Sequence, residues 1–168
     1  MAVRPVLRYP DPMLKRPAEP AGPLTPDLRE LLADLVDTMR ASPATVGLAA
    51  PQIGVPVRAF ALDVRGHPRA ARSHGLVVLF DPELLEAADG EVRREGCLSV
   101  PDLTADVRRG RRIAVSGLDP EGDRRVFRMD GFEARAAQHE LDHLEGLLIL
   151  DRVDSASALF PRRVYRRA

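Results

Sequence analysis

Residues Gln138-His139-Glu140-Leu141-Asp142-His143 spell H-E-x-x-H, and this stretch constrains the chain more than any other. On a helix, residues four apart stack on one face, so His139 and His143 can reach one divalent ion and Glu140 can aim at a water on it. The same pattern also occurs with one histidine packed in the core, the other at the surface, and Glu140 and Asp142 as solvated charges. If the stretch is a metal half-site, a third ligand must come from elsewhere in the chain.

The surrounding residues favour a helix. Asp130 followed by Glu133 resembles a capping box and Gly146 stands where a helix would stop, which predicts a helix from about Phe132 to Glu145. Phe132, Ala136, His139 and His143 then share a face, and the small Ala136 leaves room beside the first histidine. That face can border a pocket.

The chain of 168 residues suits one domain, 1–168, able to bury roughly 70% of its unfolded surface. Cys97 is the only cysteine, so no intramolecular disulfide can form; a lone thiol among histidines suits a reducing compartment, and a cytoplasmic location is expected. No apolar run has the length of a membrane span, and the N-terminus shows neither a signal-peptide core nor an amphipathic presequence. Acidic and basic residues balance at 25 each, which argues against a chain-wide footprint for nucleic acid or anionic membrane. All but Lys15 of the basic residues are arginine, a bias without functional weight here.

From Val3 to Pro23, prolines mixed with scattered apolar residues predict an extended arm over the domain. Thr25 offers an N-cap, Pro26 suits the first helical position, and Leu28, Leu31, Leu32, Leu35, Val36 and Met39 form one stripe at helical spacing. Between Thr45 and Val55 lies a loop of small residues in which Gln52 could offer an amide N–H to a reacting oxygen; a tight turn into a strand explains the loop equally simply. Arg58 to Val64 and Leu76 to Phe80 read as strands, the second apolar enough to be buried on both faces. In Glu95-Gly96-Cys97-Leu98-Ser99-Val100-Pro101 the cysteine precedes a short apolar run that Pro101 ends, and such a cysteine is most often a small buried hydrophobe. Arg111 to Leu118 and Arg124 to Met129 predict a hairpin across the turn formers Pro120 and Gly122. Asp151 and Arg152 are placed to form an ion pair, and Arg162 to Arg167 make the tail locally basic.

Three separated stretches, G-L-A-A-P-Q-I-G from Gly47, E-G-C-L-S-V-P from Glu95 and Q-H-E-L-D-H-L-E-G from Gln138, together resemble the peptide deformylase family. The likeness extends to the arm around Arg8-Tyr9-Pro10-Asp11-Pro12 and to Asp151-Arg152. It implies an α+β domain with antiparallel strands wrapped around a central helix carrying the H-E-x-x-H motif. It also implies Cys97, His139 and His143 as metal ligands, Glu140 as the acid/base, and Gln52 with the Leu98 backbone N–H as oxyanion donors. Gly47 would pair its backbone with the substrate peptide, and Val46, Phe132 and Ala136 would lie near the pocket for the methionine side chain. The cofactor implied is one divalent metal, Fe(II), although this donor set also suits zinc, nickel or cobalt. The reaction implied is hydrolytic removal of the N-formyl group from the N-terminal methionine of newly made polypeptides, with release of formate.

Thr45 departs from this pattern, standing where the family usually has the first glycine of G-x-G-L-A-A. A β-branched residue disfavours positive φ, so either this position does not need it or the loop meets substrate differently. Two rival readings are a small metallopeptidase, disfavoured by Cys97 as third ligand, and a non-enzymatic metal- or ribosome-binding protein, disfavoured by Glu140, which a structural site does not need. Ribosome association through the basic tail can accompany deformylase activity. Neither membrane attachment nor specific nucleic-acid recognition is expected.

Overall fold

The computed structural model describes residues 2–163. Its frame is an antiparallel sheet whose strands run in the order β1-β2-β3-β4-β5, with β6 added beside β4. The strands are β1 (Gly47–Ala49), β2 (Ala59–Leu62), β3 (Val77–Cys97), β4 (Val100–Leu118), β5 (Arg124–Asp130) and β6 (Leu159–Pro161). Two helices, α1 (Pro26–Ala41) and α2 (Gly131–Leu144), pack against the sheet. The α+β architecture is as expected, and the motif helix α2 is its buried centre, with Ala134, Ala136, Ala137, Leu141 and Leu144 joining Phe60, Leu62, Leu79, Ile113 and Val115 in one core cluster.

Local rules account for most boundaries. The Thr25 side chain accepts from the Leu28 N–H and Pro26 sits at the first turn of α1, whose Leu31, Leu32, Leu35 and Met39 are buried on a second core cluster. Helix α2 ends in a Schellman motif: Leu147 N–H donates to Asp142 O at 2.9 Å and Gly146 N–H to His143 O at 3.2 Å. Gly146 has φ +71°, and a Cβ there would lie 2.8 Å from the backbone of Lys15 and Arg16, so only glycine fits.

Other expectations need correction. The Asp130–Glu133 capping box does not form: Asp130 is the N-cap without a side-chain bond, and Glu133 instead accepts from His74 N–H at 2.7 Å and meets His74 Nδ1 at 2.8 Å. That pairing ties the 65–75 loop to the start of α2. Asp151 and Arg152 turn to different partners, Asp151 to Lys15 Nζ at 2.6 Å and Arg152 to Asp142. The strand expected to end at Phe80 runs on to Cys97, because Asp81, with φ +43°, and Pro82 fall in a register shift between Phe80 and Glu83 rather than in a turn. Pro101 lies inside β4, where the register jumps from Cys97–Val100 to Gly96–Thr104 and the ladder makes no demand on its missing N–H. The β4–β5 hairpin forms as predicted, from Arg112–Asp130 to Leu118–Arg124, with Asp119 Oδ1 accepting the Glu121 and Asp123 N–H groups in the turn.

The N-terminal arm is extended as expected, with one 3-10 turn at Pro12–Lys15 that buries Leu14. It also braces the site. Leu7 N–H donates to Gln52 O and Tyr9 N–H to Ser99 O, both at 2.8 Å, so the arm fixes two loops that would otherwise be free to shift.

Candidate functional site

Three elements converge on one cluster. Cys97 is the last residue of β3, paired with Val100, so Leu98 and Ser99 make a two-residue turn that projects the thiol from the hairpin tip. His139 and His143 come from successive turns of α2. Their ligand atoms and Cys97 Sγ all lie within 4.8 Å of one another, and His143 Nε2 is 3.3 Å from the sulfur. The bare helix motif thus gains the third donor it lacked, from a position 42 residues before His139. The two imidazole rings stand edge-on to each other, their centres 5.0 Å apart.

Behind His139 is a buried ionic network. Glu95 Oε2 lies 3.0 Å from His139 Nδ1, which holds the proton on that nitrogen and leaves Nε2 for the cluster. Both Glu95 oxygens also accept from Arg109 at 3.0 Å, and Oε1 from Arg135 at 2.7 Å. Arg109 continues to Asp142 Oδ2 at 2.5 Å, and Arg152 closes the network on the same carboxylate. Burial alone would push the Glu95 carboxyl up, but the His139 and Arg109 hydrogen bonds outweigh it and hold the group well below the usual carboxylate range.

In front of the cluster lies Glu140. Burial raises its carboxyl to about 7, the neighbouring His139 and His143 opposing the shift and the Cys97 sulfur adding to it. Among the described residues, Glu140 Oε2 and His143 Nδ1 are the buried side-chain atoms without a hydrogen-bond partner. Burial would likewise raise the Cys97 thiol, yet the His143 and His139 imidazoles outweigh it and bring it well below the ordinary thiol range, favouring thiolate. Two imidazoles and one thiolate form the three-donor set of a site that keeps a fourth position open, so these residues fit a divalent transition metal.

Gln52 is fixed by its own loop: its Oε1 accepts from Ala49 N–H at 2.9 Å, which turns Nε2 toward Ser99 Oγ at 3.2 Å and Cys97 Sγ at 3.8 Å. Gly47 backs directly onto Glu140, and a Cβ at 47 would come within 2.8 Å of the Glu140 carboxylate carbon. The glycine therefore serves close approach. Positive φ falls on Ala44, at +55°, and not on Thr45, so the threonine sits in a conformation it tolerates.

One pocket brings these residues together. Val46, Gly47, Gln52, Cys97, Leu98, Phe132, Ala136, His139 and Glu140 all line it, with His143 just behind as a buried member of the donor cluster. His67 stacks on Phe132 with ring centres 4.0 Å apart, and Arg69, Arg94 and Arg162 stand around the mouth. Sequence reasoning missed Glu95, Arg109 and Arg135 as supports of His139 and gave the 65–75 loop no role. Only the adjacency of Glu95 to the cysteine hinted at the network, since its partners lie 14 and 40 residues away.

Residues 3–158 match the family described as polypeptide deformylase. A peptide deformylase of Carboxydothermus hydrogenoformans is 43% identical over 155 residues, covering 92% of this chain and 96% of that one. The crystal structure of peptide deformylase from Thermotoga maritima superposes with a TM-score of 0.83 at 34% identity, covering 92% of this chain and all of that chain. A class I type b peptide deformylase from Acinetobacter baumannii, solved with Met-Ala-Ser bound, gives the same TM-score at 34% identity, covering 90% of this chain and 99% of that one.

Proposed function

The chain belongs to the polypeptide deformylase family and is a metal-dependent hydrolase that removes the formyl group from N-terminal formyl-methionine; we propose how its residues divide that work. Cys97, His139 and His143 would hold one divalent ion. When bound, the ion supplies a Lewis acid that polarises the formyl carbonyl and makes water a better nucleophile. Glu140 takes a proton from the attacking water and returns it to the departing peptide amine, leaving formate and a free N-terminus. Its unpartnered Oε2 and raised pKa support that role, because a buried carboxylate with a free acceptor can exchange a proton near neutrality.

Gln52 Nε2 and the Leu98 N–H would donate to the developing oxyanion. The Ala49 bond to Gln52 and the hairpin turn at Leu98 set both donors in advance, which is where such groups gain their catalytic effect. β1 ends the sheet order, so the outer side of Gly47 can pair with an extended peptide while Val46, Phe132 and Ala136 receive the methionine side chain. The observation carrying this assignment is the single pocket in which the donor triangle, Glu140 and an open strand edge meet.

We take Fe(II) as the physiological metal, with zinc, nickel and cobalt compatible with the same donors. Newly made polypeptides are the substrate, which places the work in the cytoplasm; no helix among the described residues is long and apolar enough to cross a membrane. Ribosome association through the basic tail from Arg162 to Arg167 belongs to the same proposal, although residues 164–168 lie outside those described. Deletion of 163–168 should weaken salt-dependent ribosome binding. The direct test of the function is formate release from a short N-formyl-methionyl peptide by protein purified without oxygen and loaded with Fe(II). Release abolished by a chelator is expected; metal-loaded protein that releases no formate would overturn the reading.

A further inference from the structure

The C-terminal strand brings one side chain into the active-site cleft. Arg162 follows β6, and its N–H donates to Asp102 O at 2.8 Å, fastening the chain beside β4. Its guanidinium lies over Gly96, one residue before Cys97, and a Cβ at 96 would collide with it, the guanidinium carbon being 3.2 Å away. Glycine at 96 therefore makes room for Arg162. Two residues back on the same face of β3, Arg94 stacks on the Phe160 ring at 3.4 Å and is paired with Asp106 at 2.6 Å. Arg69 lies 4.7 Å from the Phe132 ring centre and donates to Arg94 O at 3.5 Å.

The mouth is thus cationic. Among the described residues lining the cleft, the carboxylates are Glu95 and Glu140, both buried and both committed to the site. Asp106 neutralises Arg94, whereas neither Arg69 nor Arg162 has a carboxylate partner among the described residues. A peptide paired along the outer side of β1 with its methionine against Phe132 would continue within reach of the other residues that line the cleft, among them Thr45, Arg69, Arg94 and Arg162.

We propose that Arg162, supported by Arg69, is a specificity-determining residue that favours an acidic side chain on the second or third residue of the formyl-methionyl peptide. The proposal rests on the deformylase reading. A carboxylate arriving there meets the guanidinium of an arginine whose backbone is fastened beside β4 and gains charge-assisted hydrogen bonds, while a lysine meets like charge. The first arginine of the tail is then part of the substrate site and is not available to a distant partner.

The test compares kcat/KM of the metal-loaded enzyme on formyl-Met-Glu-Glu, formyl-Met-Gln-Gln and formyl-Met-Lys-Lys. Two partly exposed charge contacts predict a Glu-over-Lys preference of about tenfold at low salt, expressed mainly in KM and shrinking at high salt. R162Q should reduce the preference to about twofold, R162E should invert it, and R162K should restore most of it. Calorimetry with unformylated Met-Glu-Glu and Met-Lys-Lys reads the same ratio without turnover. Failure on the neutral peptide strikes the deformylase reading alone. A Glu-to-Lys ratio identical in R162Q and the unmodified enzyme, by rate and by binding, would overturn the proposal.

Discussion

Glu95 is hydrogen-bonded to the His139 ring and Glu140 follows His139 in the chain, and both are buried, 7% and 4% exposed. Glu95 is saturated: two arginines and His139 Nδ1 share its oxygens, and its carboxyl is held well below the usual range. Glu140 keeps one oxygen without a partner and is raised to about 7. Burial is the same for both; the partners differ. A carboxylate that must orient a ligand is given every hydrogen bond it can take, while one that must exchange a proton is left a free acceptor. The ionic network behind His139 is therefore a frame, and the pocket in front of it is where the structure tolerates an unsatisfied group.

The contrast can be broken at either carboxylate. The largest effect is expected from Glu140→Gln, which removes the acid/base and should lower formate release by about 10² to 10⁴-fold in a steady-state assay. Gln52→Ala should follow, with a loss of about 10² to 10³-fold in kcat from the missing oxyanion donor. Normal turnover in that variant would mean that Gln52 serves only to shape the Ala49–Gly54 loop. Glu95→Gln acts through support: His139 loses its charged partner and Arg109 and Arg135 lose theirs. Metal affinity should fall about 10- to 100-fold by competition with a chelator. Stability should fall by about 3–5 kcal/mol in denaturant melts, because the buried Arg135 is left without a carboxylate while Arg109 keeps only Asp142.

Asp34 gives the smallest effect and sharpens the comparison from outside the site. The Arg4 hydrogen bond holds its carboxyl below the ordinary aspartate value, against burial and with help from the Ala2 N–H, so the N-terminal arm is latched to α1. A depressed carboxylate contributes stability that is complete above about pH 4 and lost as pH falls through the lower folded value. Since Arg4 is half exposed, that contribution is at most about 1 kcal/mol. The melting difference between the unmodified protein and Asp34→Asn should accordingly be small at pH 7 and shrink as pH falls below about 4; a difference independent of pH would remove the ion pair from the account.

What could be read from sequence was what short-range chemistry determines. Thr25-Pro26 and the leucine stripe set α1, the i, i+4 spacing set the two histidines, and the three motif stretches pointed to residues that do share one pocket. What stayed hidden depends on distant partners. Nothing near Glu95 announces Arg109 or Arg135, which reach it only when β3, β4 and α2 pack together. Glu133 has the sequence position of a capping residue, but His74 from another loop takes both its oxygens. Asp142 and Asp151 both draw their cations from elsewhere, so the adjacent Asp151-Arg152 pair misled. The tail looked uniformly basic, yet backbone pairing of β6 with β4 singles out Arg162 by carrying it to Gly96.

The division of labour between the two carboxylates is tested most directly by measuring bound metal and formate release on the same anaerobic preparations of Glu140→Gln and Glu95→Gln. Glu140→Gln should retain about one equivalent of metal and lose turnover, whereas Glu95→Gln should lose metal while keeping most of its turnover per ion bound. Metal-loaded Glu140→Gln releasing formate at the unmodified rate would contradict the account.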